Sequence, residues 1–528
     1  MTHEMHPQRW GDPAQAAPLP ASTRALVEAV FGARSTPATD AVALPEPGLP
    51  PDLLSPLRAV LGDEHVLTDD ATRRLRTRGK STPDLFRARS GDLTDAPDAV
   101  VRPGSHDEVA AVLAWAVEHH VAVVPFGGGT SVTGGLVARR EGYAGLVSLD
   151  LLRLDRLLEV DEVSMTARLE PGMRGPQAEA ALAEHGLTLG HFPQSFEHAS
   201  IGGFAATRSS GQNSAGFGRF DQMVVGLRVA TPIGELRLGS SPANATGPDL
   251  RQLLLGSEGA FGVITEVTVR VRRAPVARAY DAWRFASFAA GQAAVRHLAQ
   301  HQLLPTVIRL SDETETALNL ASQDDVGGDA GGEGVTGCLM VVGHEGDEAA
   351  VADRRARTAA VLTDLGGVAL GEERGRAWFE GRFHAPYLRD AMLDAGVLVE
   401  TLETATFWSG AERLHADVSA ALHASLGEGA VVLCHVSHVY ETGCSLYFTV
   451  AAPQGEDPLG RWLAAKAAAS EAILSAGATI THHHAVGSDH VAGLAREIGP
   501  VGVALLRGVK DTTDPTDILN PGVLVALR

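Results

Sequence analysis

Directly behind the apolar run Val121 to Val124 stand the residues Pro125-Phe-Gly-Gly-Gly-Thr-Ser-Val-Thr-Gly-Gly135, a stretch of backbone almost bare of side chains. Glycine tolerates positive φ and close approach, and consecutive amides form a concave anion nest, so a strand ending in such a loop can wrap a diphosphate. Thr130 and Ser131 add hydroxyl donors. The same glycines also suit a flexible turn, and the loop alone does not choose. It does exclude the doubly wound dinucleotide fold. In Gly127-Gly128-Gly129-Thr130-Ser131-Val132, valine stands where the fingerprint G-x-G-x-x-G needs its third glycine.

The neighbours of the loop favour a ligand. Ala99 to Val101 reads as a short strand, Ser105 with Glu108 as a capping box, and Val109, Val112, Leu113, Ala116 and Val117 as one helix face, giving a strand–helix–strand unit that feeds the loop. A second glycine-rich block runs from Gln194 to Gly218. A third, Gly256 to Ile264, leads into an alternating strand, Thr265 to Val271. Three such loops, each beside a strand, suit one extended ligand that carries a diphosphate.

Together with SLDLLRLDRLLEVDE from Ser148, EPGMRG from Glu170, IGGFAATRSSGQNS from Ile201, GPDLRQLLLGSEGAFGVITEVTVRV from Gly247 and DPTDILNPG from Asp514, these segments resemble the FAD-binding oxidoreductases of the vanillyl-alcohol-oxidase/PCMH type. Two branches compete, the FAD-linked 2-hydroxyacid dehydrogenases and the alkylglycerone-phosphate (alkyldihydroxyacetonephosphate) synthases. The dehydrogenase metal stretch G-H-x-G-D-G-N-x-H is absent. Cys434-His-Val-Ser-His-Val-Tyr-Glu-Thr-Gly-Cys-Ser-Leu-Tyr-Phe448 and Thr481-His-His-His-Ala-Val-Gly487 are similar to the synthases, as are Arg309 in VIRLSD, Arg389 in YLRDAML, Glu403-Thr404 and Arg9-Trp10-Gly11.

The resemblance implies noncovalent FAD, held by Pro125, Phe126, Gly127, Gly128, Gly129, Thr130 and Ser131; by Gln194, Ser195, Phe196, Glu197, His198, Ala199 and Ser200; by Thr207, Arg208, Ser209 and Ser210; and by Glu258, Gly259, Ala260, Phe261, Gly262, Val263 and Ile264. It implies that Tyr447 is the acid/base tyrosine, that His482, His483 and His484 form the histidine group needed for activity, that Arg309 steadies the site and that Arg389 holds a substrate phosphate. The implied reaction exchanges the acyl group of acyl-dihydroxyacetone phosphate for a fatty alcohol through a flavin N5 adduct, in ether-lipid synthesis. The alternatives are an FAD-linked dehydrogenase or oxidase of a 2-hydroxy acid such as D-lactate or glycolate, and a noncatalytic flavin-binding protein.

The residue types suit this chemistry by themselves. A proton beside a carbonyl needs a base near the working pH, and a phosphate suits arginine's fork. Tyr447 also fits a core aromatic and Arg389 a helix-surface charge. On a strand, His482 and His484 would share one face and His483 the other. Adjacent residues converge poorly on a tetrahedral ion and no Cys or carboxylate is suitably spaced, so no metal site is expected. Two departures from the synthase pattern stand out: Ser488-Asp489 replaces a lysine after the histidines, and a polar, glycine-rich linker, Ser322 to Gly334, replaces an apolar and basic segment. His198 and Ala199 also replace an apolar-aromatic pair beside the flavin block.

A net charge of −20 excludes general binding to nucleic acid or an anionic bilayer, so an anionic substrate, whether a small molecule or a lipid, needs local arginines. Cys338, Cys434 and Cys444 are too few for a disulfide framework, and no signal segment or membrane-length apolar run is read, so the expected compartment is the cytoplasm. A homodimer is implied by the resemblance only. The expected fold is α+β: an N-terminal extension (1–95) irregular as far as Pro51 and then helical around Ala59 and Thr72, a PCMH-type two-part FAD domain (96–273) with a helix Gln177 to His185, a substrate cap (274–488) of antiparallel sheet and helices, and a C-terminal segment (489–528) returning to the FAD domain.

Overall fold

The computed structural model describes residues 4–32, 35, 44–137, 139–319 and 337–527. The strand–helix–strand unit forms as read. Strands Ala99–Val101 and Val121–Phe126 both run parallel to Gly145–Asp150, and Val66–Leu67 adds an antiparallel edge. The crossover helix His106–His119 buries Val109, Val112, Leu113 and Ala116 against this sheet. Its cap differs from the expected box. Ser105 Oγ accepts the Glu108 N–H at 3.1 Å, but the Glu108 carboxylate reaches past Ser105 to the Gly104 N–H at 2.7 Å.

A second, antiparallel sheet of five strands has the order Leu157–Asp161, Thr166–Leu169, Val263–Arg270, Val224–Thr231, Gly234–Leu238. The helix expected from Gln177 starts earlier, at Gly175–Ala183, because Pro176 opens its first turn and Gln177 Oε1 accepts the Arg174 N–H at 2.9 Å.

The third sheet is antiparallel throughout, with seven strands in the order Val368–Gly371, Ala277–Phe285, Cys338–Gly346, Val307–Ser311, Val431–Val439, Gly443–Pro453, Val397–Phe407. Helices Phe288–Gln300, Ala411–Leu426 and Pro458–Ser475 share its apolar core. On the strands Val431–Val439 and Gly443–Pro453, Val432, Cys434, Val436, Leu446, Phe448 and Val450 enter that core, so the alternate residues His435, Ser445 and Tyr447 face the other way.

The N-terminal stretch is more regular than expected: Ala21–Phe31 is a helix, and Glu4 to Asp12 lies against the body of the protein. Arg9 pairs with Asp394 at 2.6 Å, and Met5, Trp10 and Tyr387 form a small apolar cluster. Gly11 has φ +65°, and a Cβ there would stand 2.2 Å from the Tyr387 hydroxyl. At the other end, Leu519 bridges to Val123 in parallel, which brings the C-terminal segment beside the strand that feeds the glycine loop. The linker Ser322 to Gly334 lies outside the described residues.

Candidate active site

Sheet register assembles the centre. Glu403 stands across from Tyr447, and Tyr447 across from His435, so these three form one row over adjacent strands. The Tyr447 and His435 rings stack at 4.9 Å. Beside the row, Arg309 Nη2 donates to Glu315 Oε1 at 2.6 Å and lies 3.1 Å from His435 Nδ1. Leu310 enters the apolar core, so Arg309 lies on the same sheet face as His435, one strand further along.

The triple histidine is not on a strand. Thr481 to His484 form a bent loop wrapped around the buried Glu403 carboxylate, which accepts the Thr481 hydroxyl at 2.6 Å and the backbone N–H groups of His482, His483 and His484 at 2.6, 3.1 and 2.9 Å. Because one carboxylate gathers three successive amides, the two-faced arrangement expected of a strand is replaced by a cluster. His482 Nδ1 lies 2.9 Å from His483 Nδ1, and the His483 and His484 rings approach Tyr447 at 6.0 and 5.5 Å.

Burial pushes the Glu403 carboxyl up, but it is held well below the usual range, by charge on any neighbouring imidazole that is protonated and, when the rings are neutral, by the Thr481 hydroxyl and the three amide donors. Burial lowers His482 to about 3 and takes His483 and His484 below the ordinary histidine range. Burial also pushes Tyr447 up to about 12. At neutral pH the centre therefore holds a charged carboxylate, neutral imidazoles and a protonated phenol able to give a hydrogen bond.

The glycine loops meet around a second focus. Glu258, itself at φ +50°, accepts the N–H groups of Val486 and Gly487 at 3.0 and 2.8 Å, which ties the third loop to the histidine segment. Asn520 Nδ2 donates to Gly135 O at 3.0 Å and to Glu258 O at 2.7 Å, joining the first loop to the third.

Residues 97–239 match the family model described as an FAD binding domain, and residues 274–524 match that of the FAD linked oxidases, C-terminal domain. Alkyldihydroxyacetonephosphate synthase from Trypanosoma brucei brucei is 34% identical over 504 residues, covering 91% of this chain and 82% of that protein. This chain belongs to the alkyldihydroxyacetonephosphate synthase family. A solved structure of an alkyldihydroxyacetonephosphate synthase matches it with a TM-score of 0.86 at 29% identity, covering 98% of each chain. p-Cresol methylhydroxylase, at 18% identity and a TM-score of 0.68 over 90% of this chain and 96% of that one, shares the PCMH-type fold.

The cofactor of this synthase-family enzyme is FAD, and its residues fit that group. A Cβ on Gly127 would lie 2.3 Å from Ser200 Oγ and one on Gly128 2.1 Å from the His198 carbonyl, so the bare backbone closes directly on the Gln194–Ser200 block, while Gly129 has φ +71°. Buried Ser210 Oγ, Arg174 Nε and His198 Nε2 in the same segments have no protein partner. Within the third loop, Ala260, Phe261, Val263 and Ile264 turn their side chains into apolar cores, and Val263 and Ile264 pair with the strand Val224–Thr231, which anchors the loop. Thr207 Oγ1 bonds the Gly203 carbonyl, Arg208 the Leu255 carbonyl and Ser209 the His191 ring. Phe196 stacks on Phe383, and the His198 ring meets Trp10 edge-on at 5.8 Å.

Arg389 is no helix-surface charge. It is half-buried, donates through Nη1 to Lys80 O at 2.7 Å, and keeps a buried, unpartnered Nε. Its hydrogen bonds go to Lys80 and Asp390, and none of them reaches the histidine loop. Where the synthase pattern has a lysine after the histidines, Lys466 from the helix Pro458–Ser475 places its Nζ 2.6 Å from Asp489. Sequence reasoning assigned no role to Glu403, and it passed over Lys80, Tyr440 and His438 although the segment holding the last two had been singled out. A histidine three residues and a tyrosine five residues past His435 were the available signal. Tyr440 hydroxyl lies 2.6 Å from His482 Nε2, with the Arg219 charge acting on it.

Proposed function

We propose that this protein catalyses the exchange its synthase relatives are named for: the acyl group of an acyl-dihydroxyacetone phosphate is replaced by a fatty alcohol, giving the ether and a free fatty acid with no net redox change. The observation that carries this reading is the Glu403 carboxylate, which holds three neutral imidazoles beside a protonated Tyr447. That is equipment for moving protons.

When bound, FAD supplies the electrophilic centre that allows one oxygen substituent on the ketone's neighbouring carbon to be exchanged for another. The chain does the rest. His483 or His484, kept neutral by burial, takes the proton beside the carbonyl and returns it to that carbon once the alcohol has entered, while the alcohol's proton leaves with the fatty acid. Tyr447, held protonated, donates a hydrogen bond to the departing carboxylate as the C1–O bond breaks. Glu403 keeps the loop in place throughout. Arg389, with Lys80 beside it, offers the cationic surroundings a phosphate requires, since Nε is free to donate. Residues 96–273 and 274–488 serve as flavin and cap domains in this reading. Three buried free cysteines suit a cytoplasmic protein, and among the described residues no helix is long and apolar enough to cross a membrane. A homodimer follows from the resemblance, and light scattering at twice the chain mass tests it.

The functional test is an anaerobic absorbance titration of the purified holoenzyme. Palmitoyl-dihydroxyacetone phosphate should perturb the flavin band, and fatty alcohol should restore it with release of fatty acid. Lasting bleaching by D-lactate or glycolate would assign the protein to hydroxyacid oxidation instead.

A further inference from the structure

The strand Val431–Val439 carries an irregularity. Val436 pairs with Leu446 and Val439 with Cys444, so one extra residue is accommodated between them. Such a bulge re-aims side chains, and here it leaves His438 stacked on His482 at 5.1 Å and edge-on to His483 at 4.8 Å. Adjacent histidines alone converge poorly on one ion, which is why the sequence argued against a metal. The bulge brings in a third imidazole from another element.

We propose that His438, His482 and His483 form a binding site for one divalent transition-metal ion of the zinc class. One nitrogen from each ring lies within 4.8 Å of the others. A tetrahedral zinc at about 2.0–2.1 Å holds imidazole nitrogens roughly 3.4 Å apart, so the trio closes on an ion by ring rotation and a shift of about 1–1.5 Å. Three further observations point the same way. His438 Nδ1 is buried with no partner, in a residue 5% exposed. The facing Nδ1 atoms of His482 and His483, 2.9 Å apart, are satisfied together by one shared proton or one shared cation. The Tyr440 hydroxyl takes up His482 Nε2 at 2.6 Å, the outer contact that fixes a metal-binding imidazole with its other nitrogen turned inward. Glu403, 3.5 Å from His483 Nδ1, adds negative charge beside the site. Imidazole-only coordination selects zinc, copper or nickel over magnesium or calcium.

An ion here takes lone pairs on His482 and His483, so it inhibits turnover. That consequence alone rests on the function proposed above, and binding itself does not.

The experiment uses chelator-treated, dialysed holoenzyme equilibrated with buffered micromolar zinc, with bound metal read by elemental analysis and flavin content by visible absorbance. One zinc per chain is expected. His438→Ala should weaken binding about ten-fold or more with flavin retained, and Tyr440→Phe, which removes only the outer hydroxyl, by about ten-fold. If His438→Ala fails to fold, Tyr440→Phe decides. The rival site is the stacked pair His297 and His301 on the helix surface, so His301→Ala should leave binding unchanged. Absence of stoichiometric zinc, unchanged affinity in both the His438 and Tyr440 variants, or loss of zinc on His301→Ala would each overturn the proposal. Zinc binding that leaves an established turnover intact would remove only the inhibitory role.

Discussion

The side-chain amide of Asn520 donates to the backbone carbonyl of Glu258 at 2.7 Å, and its second hydrogen bond reaches Gly135 at 3.0 Å. A residue nine from the C-terminus thereby fixes two glycine loops that are far apart in sequence. Lys510, buried nearby, continues the seam by donating to the carbonyls of Ala260 and Leu519 at 3.0 and 2.5 Å.

Asn520→Ala leaves two carbonyls without their donor in a site 1% exposed. The expected loss is about 1–3 kcal/mol. It should appear in thermal unfolding as a lower Tm together with faster release of FAD; unaltered flavin retention would show that the clamp does not serve the cofactor.

Gly128 tests the flavin cradle. A Cβ there would sit 2.1 Å from the His198 carbonyl and 2.6 Å from Ala199 Cα, and backbone on both sides leaves little room to give way. Gly128→Ala should purify with little or no flavin while circular dichroism stays close to wild type. Stoichiometric FAD in that variant would refute the assignment of this loop.

Glu403→Gln keeps an acceptor for the three amides but removes the charge and adds an N–H pair that has no acceptor among them. Turnover should fall about 10²-fold or more, with flavin content preserved. A variant of nearly full activity would reduce Glu403 to a structural tie.

Acid should destabilise the protein partly through His191. Burial lowers its ring to about 3, between Phe204 and Phe220 at 4.7 and 5.0 Å. The folded form thus stays neutral while the unfolded histidine takes a proton below about 6.5. The stabilisation is complete above the unfolded pKa and is lost as pH falls from there towards 3, by up to a few kcal/mol. Denaturant titrations at pH 7.5 and 4.5 should show His191→Gln losing less stability between the two than wild type.

Glu258 works in the opposite sense. Burial raises it to about 7 despite two amide donors, so the fold holds its proton where the unfolded chain has released it. Stability from this group declines as pH rises from about 4.5 to 7. In Glu258→Gln that decline should be absent from the same titrations.

Much of this protein is legible without coordinates. Bare glycines behind Val121 to Val124, the helical spacing of Val109 to Ala116 and the alternation of Leu446, Phe448 and Val450 around Tyr447 are local patterns, and each acts through backbone sterics or side-chain period within a few residues. They determined the glycine loops, the strands Val431–Val439 and Gly443–Pro453, and the tyrosine that leaves the core. Other features depend on partners distant in sequence. The histidines bend because Glu403, roughly eighty residues earlier, collects their amides. His438 joins them because a bulge against Cys444 turns it. Arg389 turns inward because the Lys80 carbonyl, far upstream, accepts its hydrogen bond. Register between strands and the satisfaction of a buried charge are settled only when separate segments pack together, so the tertiary structure alone decided how Glu403, Tyr447 and the histidines are arranged.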